Sequence, residues 1–551
     1  MPQPTPKLPP EIWRLVVQAL IVHNGFYVNG FLDLYQFSRV CMGFAALALP
    51  ELYSIQHKSF TQLPSLWHSI LASTLGTTLF PYYLWITEID LTSCEYFVRQ
   101  QRPGQSPLFS HPLEMLDIRK PDGNLDHPAI VTEMVNLLTS PTRRPADDET
   151  TQGSLSFLKT GHFSLPPSRL ASWVSGFRRL KLLQALEVGV LDGTVGSAIR
   201  ASCPAFTGVR IIQDSSRSAN FHHLGAFIQN LKPDSLEKFE MIHTDHISKE
   251  PIQALSLHAR SLKALILQSL VPSAFASLTT LQRCRSLESL VIRVENDDFS
   301  YDWKARRPQL LQDVTQWISN CGHLQELVLI DVPIWDSIVP EILQSPLIRL
   351  RRLVLNNPKT EMDEGFCSAL SRQTELQCLV LTSYNRDDTT PQDDRWEARN
   401  AQLCRAIASC RNLQQLDLGE PLSHASLEHI CRSTPHMEIL HLRVLELDDR
   451  FLEPIGGLGK LRSLALYSQR STFTYTAVRR LLGTFAADPE GKRNHGTLHI
   501  VFSGKHPPSS FTQQDLARLR PFCSKHFGGA IDVWPFPLPG AEPLDPAAAD
   551  D

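Results

Sequence analysis

A short alternating pattern, L-x-x-L-x-L, returns along the middle of the chain. It is plainest in LESLVI from Leu287, LQELVL from Leu324, LRRLVL from Leu350, LQCLVL from Leu376 and LQQLDL from Leu413. Further copies are LEKFEM from Leu236, LKALIL from Leu262, MEILHL from Met437 and LRSLAL from Leu461. A period of two predicts a strand with one buried face. Between these strands the period becomes helical: NAQLCRAIASC sets Leu403, Cys404, Ile407 and Cys410 on one face, and VTQWISNC does so with Val314, Trp317, Ile318 and Cys321. Each unit is therefore a strand followed by a helix. A strand, a right-handed crossover and a parallel strand one layer on stack into a solenoid, in which no unit buries its leucine face alone.

Most copies lie roughly 23 to 30 residues apart, the leucine-rich-repeat period, with polar insertions in the longer steps. The expected fold class is α/β: a leucine-rich-repeat solenoid, a horseshoe with a parallel sheet on its concave wall and helices outside. LQALEV from Leu183 is another full copy and CPAFTGVRI at Cys203 a looser one, and weaker copies extend the array toward the N-terminus: ITEIDLTSC from Ile86 with Cys94, LEMLDI from Leu113 and LSFLKT from Leu155. LHIVF from Leu498 reads as a last strand.

If the leucines point inward, the residue between the last two faces the concave side. That column reads Asp90, Asp117, Glu187 and Glu240, then Ile266, Val291, Val328, Val354 and Val380, then Asp417, His441 and Ala465. The apolar run predicts a protein-docking patch. The expected substrate-binding residues are Glu240, Ile266, Val291, Val328, Val354, Val380, Asp417 and His441. Two other readings stand beside it. β-branched residues favour strands whichever way they point, and the tail IDVWPFPLPG, with Trp534 and Phe536, could fold back over the patch.

Composition narrows the chemistry. The chain has 551 residues, 42% hydrophobic and 20% charged, with a net charge of −4. Basic pairs such as Arg143-Arg144, Arg306-Arg307 and Arg479-Arg480 are scattered, which argues against nucleic acid as a partner. No signal-like start and no long apolar run is seen, so no membrane association is expected, and the expected location is cytoplasmic and/or nuclear. Eleven cysteines without a C-x-x-C pair suit free thiols in a reducing compartment. Cys203, Cys284, Cys321 and Cys410 recur at one repeat position, where cysteine packs as a small hydrophobe. Such a row does not converge on a metal.

GGLGKL at 456–461 lacks the serine or threonine of a phosphate loop, HTDH at 243–246 has no HExxH frame, and no G-x-S-x-G or Ser/His/Asp signature stands out. Asp387, Asp388, Asp393 and Asp394 lack the glycine and terminal glutamate of an EF-hand loop. No catalytic residue, metal site or cofactor is expected, and the chain is read as non-enzymatic.

Residues 8 to 53 follow a different pattern. LPPEIWRLVVQAL places proline at a helix start and an acid in its first turn, with Ile12, Leu15, Val16 and Leu20 as an apolar face. A second helical pattern runs through Leu34, Phe37, Val40, Cys41, Phe44 and Leu47. A helical cap on the first repeat would account for both. The segment also resembles the F-box family: Leu8-Pro9, Glu11-Ile12 and the run LYQFSRVCMGFAALA fall where that family has its Leu-Pro-x-Glu-Leu/Ile start and its Leu-x-x-Val-Cys/Ser-x-x-Trp/Phe centre. The repeats behind it look like the leucine-rich-repeat class of F-box proteins.

The resemblance implies a substrate-recognition subunit of an SCF-type cullin-RING ubiquitin ligase. The F-box would bind the adaptor and, through it, the cullin, while the repeats hold an unknown protein substrate. It carries adaptor contact to Leu8, Pro9, Glu11, Ile12, Leu15, Leu34, Val40 and Cys41. The alternative is a repeat scaffold outside any ligase, or a GTPase-activating-type repeat protein. The domains expected are a helical domain at 1–58, a solenoid at 59–535 with polar insertions near 140–154, 295–308 and 383–396, and a disordered acidic, proline-rich tail at 536–551.

Overall fold

The computed structural model describes residues 9–23, 34–54, 64–102, 105–139, 154–161, 165–212, 221–242, 247–294, 307–332, 335–356, 363–382, 395–486, 497–504 and 511–534. The three expected insertions fall almost wholly outside these residues, as do HTDH, the Asp387–Asp394 cluster and the tail from 535 onward. Two compact units are distinguished, Met1–Leu262 and Lys263–Asp551.

In the first unit, strands β1 (Glu88–Asp90), β2 (Phe157–Lys159), β3 (Leu182–Ala185), β4 (Gly208–Ile212) and β5 (Lys238–Ile242) pair in sequence order, all parallel. Their register lines up Ile89, Leu158, Leu183, Val209 and Phe239, all buried. The crossover helices Pro167–Gly176, Gly193–Ser202, Phe221–Asn230 and Lys249–Leu255 pack each on the next. Gly196 lies against the Phe227 carbonyl, where any Cβ would collide, so glycine sets how closely those two helices approach.

Two expected strands in this unit are corrected. LEMLDI forms a 3-10 turn, Glu114–Leu116, rather than a strand. Leu113 and Leu116 are buried, but Asp117 pairs with Arg119 two residues on, at 2.9 Å, instead of joining the column. The strand near Leu183 begins earlier than LQALEV implies, so Glu187 precedes a 3-10 turn, Val188–Val190, and Gln184 takes the column position. The run LKLLQALEV offers leucines in two frames. The frame that aligns Leu183 with Leu158 and Val209 keeps one face buried along the sheet, and a slip would turn those side chains to solvent.

His258 locks this unit in a way that depends on pH. The ring is fully buried, its Nδ1 accepts from the Leu236 N–H at 3.4 Å, and its Nε2–H donates to the Ile228 carbonyl at 3.3 Å. One donor and one acceptor match the neutral imidazole, and a second ring proton would face an N–H. Burial pushes its pKa below the ordinary value, against the opposing pull of the Ile228 carbonyl and the Asp234 charge. The unfolded chain therefore takes up the proton first, and stability should fall as the pH drops below about 6.5 toward the lowered folded value. His258→Leu should cost about 1–3 kcal/mol by orphaning the Leu236 N–H and should flatten that part of the slope, as read by urea unfolding across a pH series.

Among the described residues of the second unit, ten parallel strands run in sequence order: β6 (Ala264–Leu270), β7 (Ser289–Val294), β8 (Glu326–Ile330), β9 (Arg352–Asn356), β10 (Cys378–Thr382), β11 (Gln415–Leu422), β12 (Ile439–Leu447), β13 (Ser463–Ser471), β14 (His499–Gly504) and β15 (Ala530–Trp534). A buried row runs from Leu265 through Leu290, Leu327, Leu353, Leu379, Leu416, Leu440, Leu464 and Ile500 to Ile531. Helices Pro308–Ser319, Trp335–Gln344, Glu364–Leu370, Arg395–Ser409, His424–Ser433, Asp449–Ile455 and Tyr475–Ala486 pack in succession. The α/β solenoid read from the sequence is the fold of each unit: parallel strands in order, joined by packed helices.

β15 is the strand the sequence pattern did not reveal. Helix Gln513–Phe527 ends at Gly528 in the left-handed region, φ 61°, and Gly529 passes so close over the Leu498 carbonyl that a Cβ would strike it. Two glycines thus turn AIDVW into a further parallel strand beside β14. Trp534 belongs to that strand rather than to a free tail.

The recurrent cysteines are packing groups. Cys203, Cys284, Cys321 and Cys410 are buried, and the Cys321 thiol donates to the Cys284 carbonyl of the preceding repeat at 3.2 Å. Burial pushes the Cys203, Cys321 and Cys410 thiols up to about 12, so each is protonated and unreactive near neutral pH.

Candidate functional site

The N-terminal helices expose an apolar patch. Helix Pro10–His23, the helical segment 34–38 and helix Met42–Ser54 share a small core of Val17, Leu34, Ala48 and Leu52, with Phe37 and Leu49 against it. The Phe37 and Phe44 rings stack at 4.3 Å, and Trp13 lies 4.5 Å from Phe44. Trp13 and Val17, one turn apart, are thus the packed stripe of the first helix. This corrects the expected face of Ile12 and Leu15.

Those two side chains point outward: Leu15 is 59% and Ile12 41% exposed, and Val40 is 67% exposed in the turn before the last helix. Pro9, Glu11 and Cys41 are exposed as well. Leu34 is 2% exposed and belongs to the core, so it cannot reach a partner. Leu8 lies outside the described residues. The Trp13–Phe37–Phe44 cluster ties the helix bearing Ile12 and Leu15 to the segment bearing Val40 and Cys41. Beneath it the Trp13 indole N–H is buried without a hydrogen-bond partner among the described residues. A protein surface that places apolar side chains on a fixed aromatic base can dock another apolar face.

Of the eleven cysteines, only Cys41 is exposed. Brief treatment of the native chain with a maleimide should therefore modify one cysteine, Cys41, as read by peptide mass mapping.

The column on the helix-free face differs between the units. In the first it reads Asp90, Lys159, Gln184, Arg210 and Glu240. Lys159 and Arg210 were missed because their repeats, LSFLKT and CPAFTGVRI, carry few leucines. The charges neutralise one another: Lys159 meets Asp90 at 2.9 Å, and Glu240 takes Arg210 on one oxygen and Lys238, at 2.8 Å, on the other. Asp90 also caps helix Leu91–Arg99 by accepting from the Thr92 and Ser93 N–H groups. Burial of Glu240 opposes its ionisation, but the Arg210 and Lys238 hydrogen bonds and charges hold its carboxyl below the usual range. The expected acidic face is therefore two closed ion-pair groups on either side of Gln184, and Glu240 is not free to meet a substrate.

In the second unit the column is in register from Ile266 through Val291, Val328, Val354 and Val380 to Asp417, His441 and Ala465. Val291, Val328 and Val354 form a cluster only 7–8% exposed, with Ile266, Ile330 and Val380 packed against it. A polar line flanks it: Ser289 donates to Glu326 at 2.6 Å, and Glu326 pairs with Arg352 at 3.1 Å. The middle of the apolar run, Val291, Val328 and Val354, is a closed seam rather than the exposed patch expected, because valines at strand spacing cover one another's flanks, while Ile266 and Val380 at its ends stay half-buried.

Beyond the seam, three strands bring together residues that no local motif links. His441 Nδ1 lies 3.5 Å from Asp417 Oδ2, and the Ser463 hydroxyl lies 3.1 Å from His441 Nε2. The order resembles a nucleophile relay, but the Ser463 N–H, which an oxyanion site would use, donates to the Glu438 carbonyl in the sheet edge. The arrangement fixes the imidazole orientation on the sheet face. Among the described residues no group of three His, Cys, Asp or Glu could hold a metal ion, and no helix is long and apolar enough to cross a membrane.

No family model matches the chain, and no curated protein matches it. A chain in the crystal structure of the Rad7 and Elc1 complex in yeast is similar to it at 14% identity, with a TM-score of 0.32, covering 66% of this chain and 79% of that one. A likeness of that size carries no argument about function.

Proposed function

We propose that the chain is a non-enzymatic substrate receptor of an SCF-type cullin-RING ubiquitin ligase, working in the cytoplasm or nucleus. Its N-terminal helices would bind the adaptor, and through it the cullin, while its repeats bind a protein target. The observation that carries this reading is the outward placement of Ile12, Leu15, Val40 and Cys41, four positions of the F-box resemblance, over a core that would be complete without them. A plain helical cap would turn its apolar face inward and leave polar groups outside.

Pro9, Glu11 and Cys41 border the docking patch in this reading, and Leu34 supports it from beneath. Adaptor binding should then shield Cys41. The test is maleimide labelling of the full chain with and without a purified SCF-type adaptor subunit: protection of Cys41 supports the reading. Unchanged labelling at saturating adaptor returns the chain to the class of repeat scaffolds outside any ligase.

A further inference from the structure

In the second unit the turns leading into β7 through β11 stack through backbone bonds that run Glu288 to Gln325, Arg351, Gln377 and Gln414, each 2.7–2.8 Å. These turns carry Arg283, Arg285, Arg349, Arg351, Arg372 and Arg411, all exposed, against the two acids Glu288 and Glu375. None of the six arginines has an ion-pair partner among the described residues, whereas Arg352 on the adjoining strand is paired with Glu326. Among them stands Leu347, 53% exposed. Its Cβ lies against the open side of Gly322, at 3.8 Å from where a Cβ would be. Gly322 occupies the turn position that Arg285 and Arg411 fill in other repeats, so the row of arginine-bearing turns holds an exposed apolar side chain at this point.

We infer that this rim binds a short acidic segment of a partner protein, with one apolar side chain of the segment seated on Leu347 and its carboxylates on the flanking arginines. Arg283, Arg372 and Arg411 follow helix ends, where a cation also favours the helix dipole. Arg349 and Arg351 lie beyond the helix's last turn, and that reason does not cover them. Guanidinium groups match carboxylates in bidentate geometry, which suits a row of them to aspartate and glutamate. Five turns at strand spacing span about 19 Å, or about six residues of extended chain.

A nucleic acid fits less well. The described residues of the rim expose no phenylalanine, tyrosine or tryptophan ring, and His323 offers a single imidazole, where a strand of bases calls for successive stacking platforms. Glu288 and Glu375 interrupt the basic row, and the whole chain is net negative at −4. This inference deepens the target-binding half of the function proposed above and rests on that half alone, since no adaptor is involved.

The test is fluorescence anisotropy of the full chain with a labelled octapeptide of aspartate and glutamate around a central leucine. Saturable binding is expected, weakened about tenfold or more by Arg349→Glu with Arg351→Glu at an unchanged thermal midpoint, and weakened by leucine-to-serine replacement in the peptide. A lysine-for-acid peptide binding equally well would overturn the inference, as would no saturable binding up to millimolar peptide. A single-stranded oligonucleotide that binds more tightly and displaces the peptide would also overturn it, assigning the rim to nucleic acid. Because the adaptor is absent, failure here leaves the Cys41 protection result standing on its own.

Discussion

Trp317→Ala should destabilise the second unit by about 3–5 kcal/mol, among the costliest single truncations in the fold. The indole is almost wholly buried on helix Pro308–Ser319, and its N–H donates to the Cys284 carbonyl at 3.3 Å, the same oxygen that accepts from the Cys321 thiol. One side chain therefore joins two consecutive repeats by packing and by a hydrogen bond. Because each repeat is stabilised chiefly by its neighbours, the damage should start locally. Amides of β7 and β8 should lose hydrogen-exchange protection first, with the urea midpoint shifted accordingly. Trp317→Phe should recover most of the packing but not the bond. Equal loss of protection across all strands of the unit would contradict this repeat-by-repeat account.

Leu15→Asp combined with Val40→Asp should abolish adaptor binding while leaving the fold intact. Both side chains face solvent in the free chain, so a charge there should change stability by no more than about 0.5 kcal/mol. In a complex each carboxylate would be buried against an apolar face without a partner, a cost of about 3–5 kcal/mol apiece that exceeds what one small interface can absorb. Leu34→Asp should do the reverse. That position lies in the core with Val17, Ala48 and Leu52, so the helices themselves should unfold, seen as lost helical circular dichroism. Comparing the variants separates a docking residue from a structural one within the same motif.

The repeat was legible because it rests on one rule, that leucines two apart share a face, and unit after unit obeys it. It failed where the rule had two solutions or too few leucines. LKLLQALEV fits two frames, and pairing with β2 and β4 decides between them, which is information held outside the segment. LEMLDI has the right leucines, but a 3-10 turn buries Leu113 and Leu116 equally well. The last strand depends on the backbone freedom of Gly528 and Gly529, which hydrophobic pattern does not register.

The candidate surfaces were legible only in part. Column membership in the second unit follows from spacing, and the registers agree with it from Ile266 to Ala465. Exposure does not follow from spacing, because it depends on lateral neighbours. Val328 is shielded within its cluster, and Glu240 is enclosed by Arg210, from a repeat whose single-letter pattern barely shows. In the N-terminal helices, Trp13 rather than Ile12 or Leu15 faces inward because Phe37 and Phe44 form a ring cluster with it, a choice of side that periodicity alone leaves open.

The central claim is that the exposed face of Ile12, Leu15 and Val40 docks an adaptor. Its most direct test is isothermal titration of the purified full chain with a purified SCF-type adaptor subunit, run in parallel on Leu15→Asp/Val40→Asp. The account predicts a one-to-one complex with the native chain and no measurable heat with the doubly substituted chain at an unchanged thermal midpoint. Absence of binding by the native chain, or equal binding by both, would contradict it.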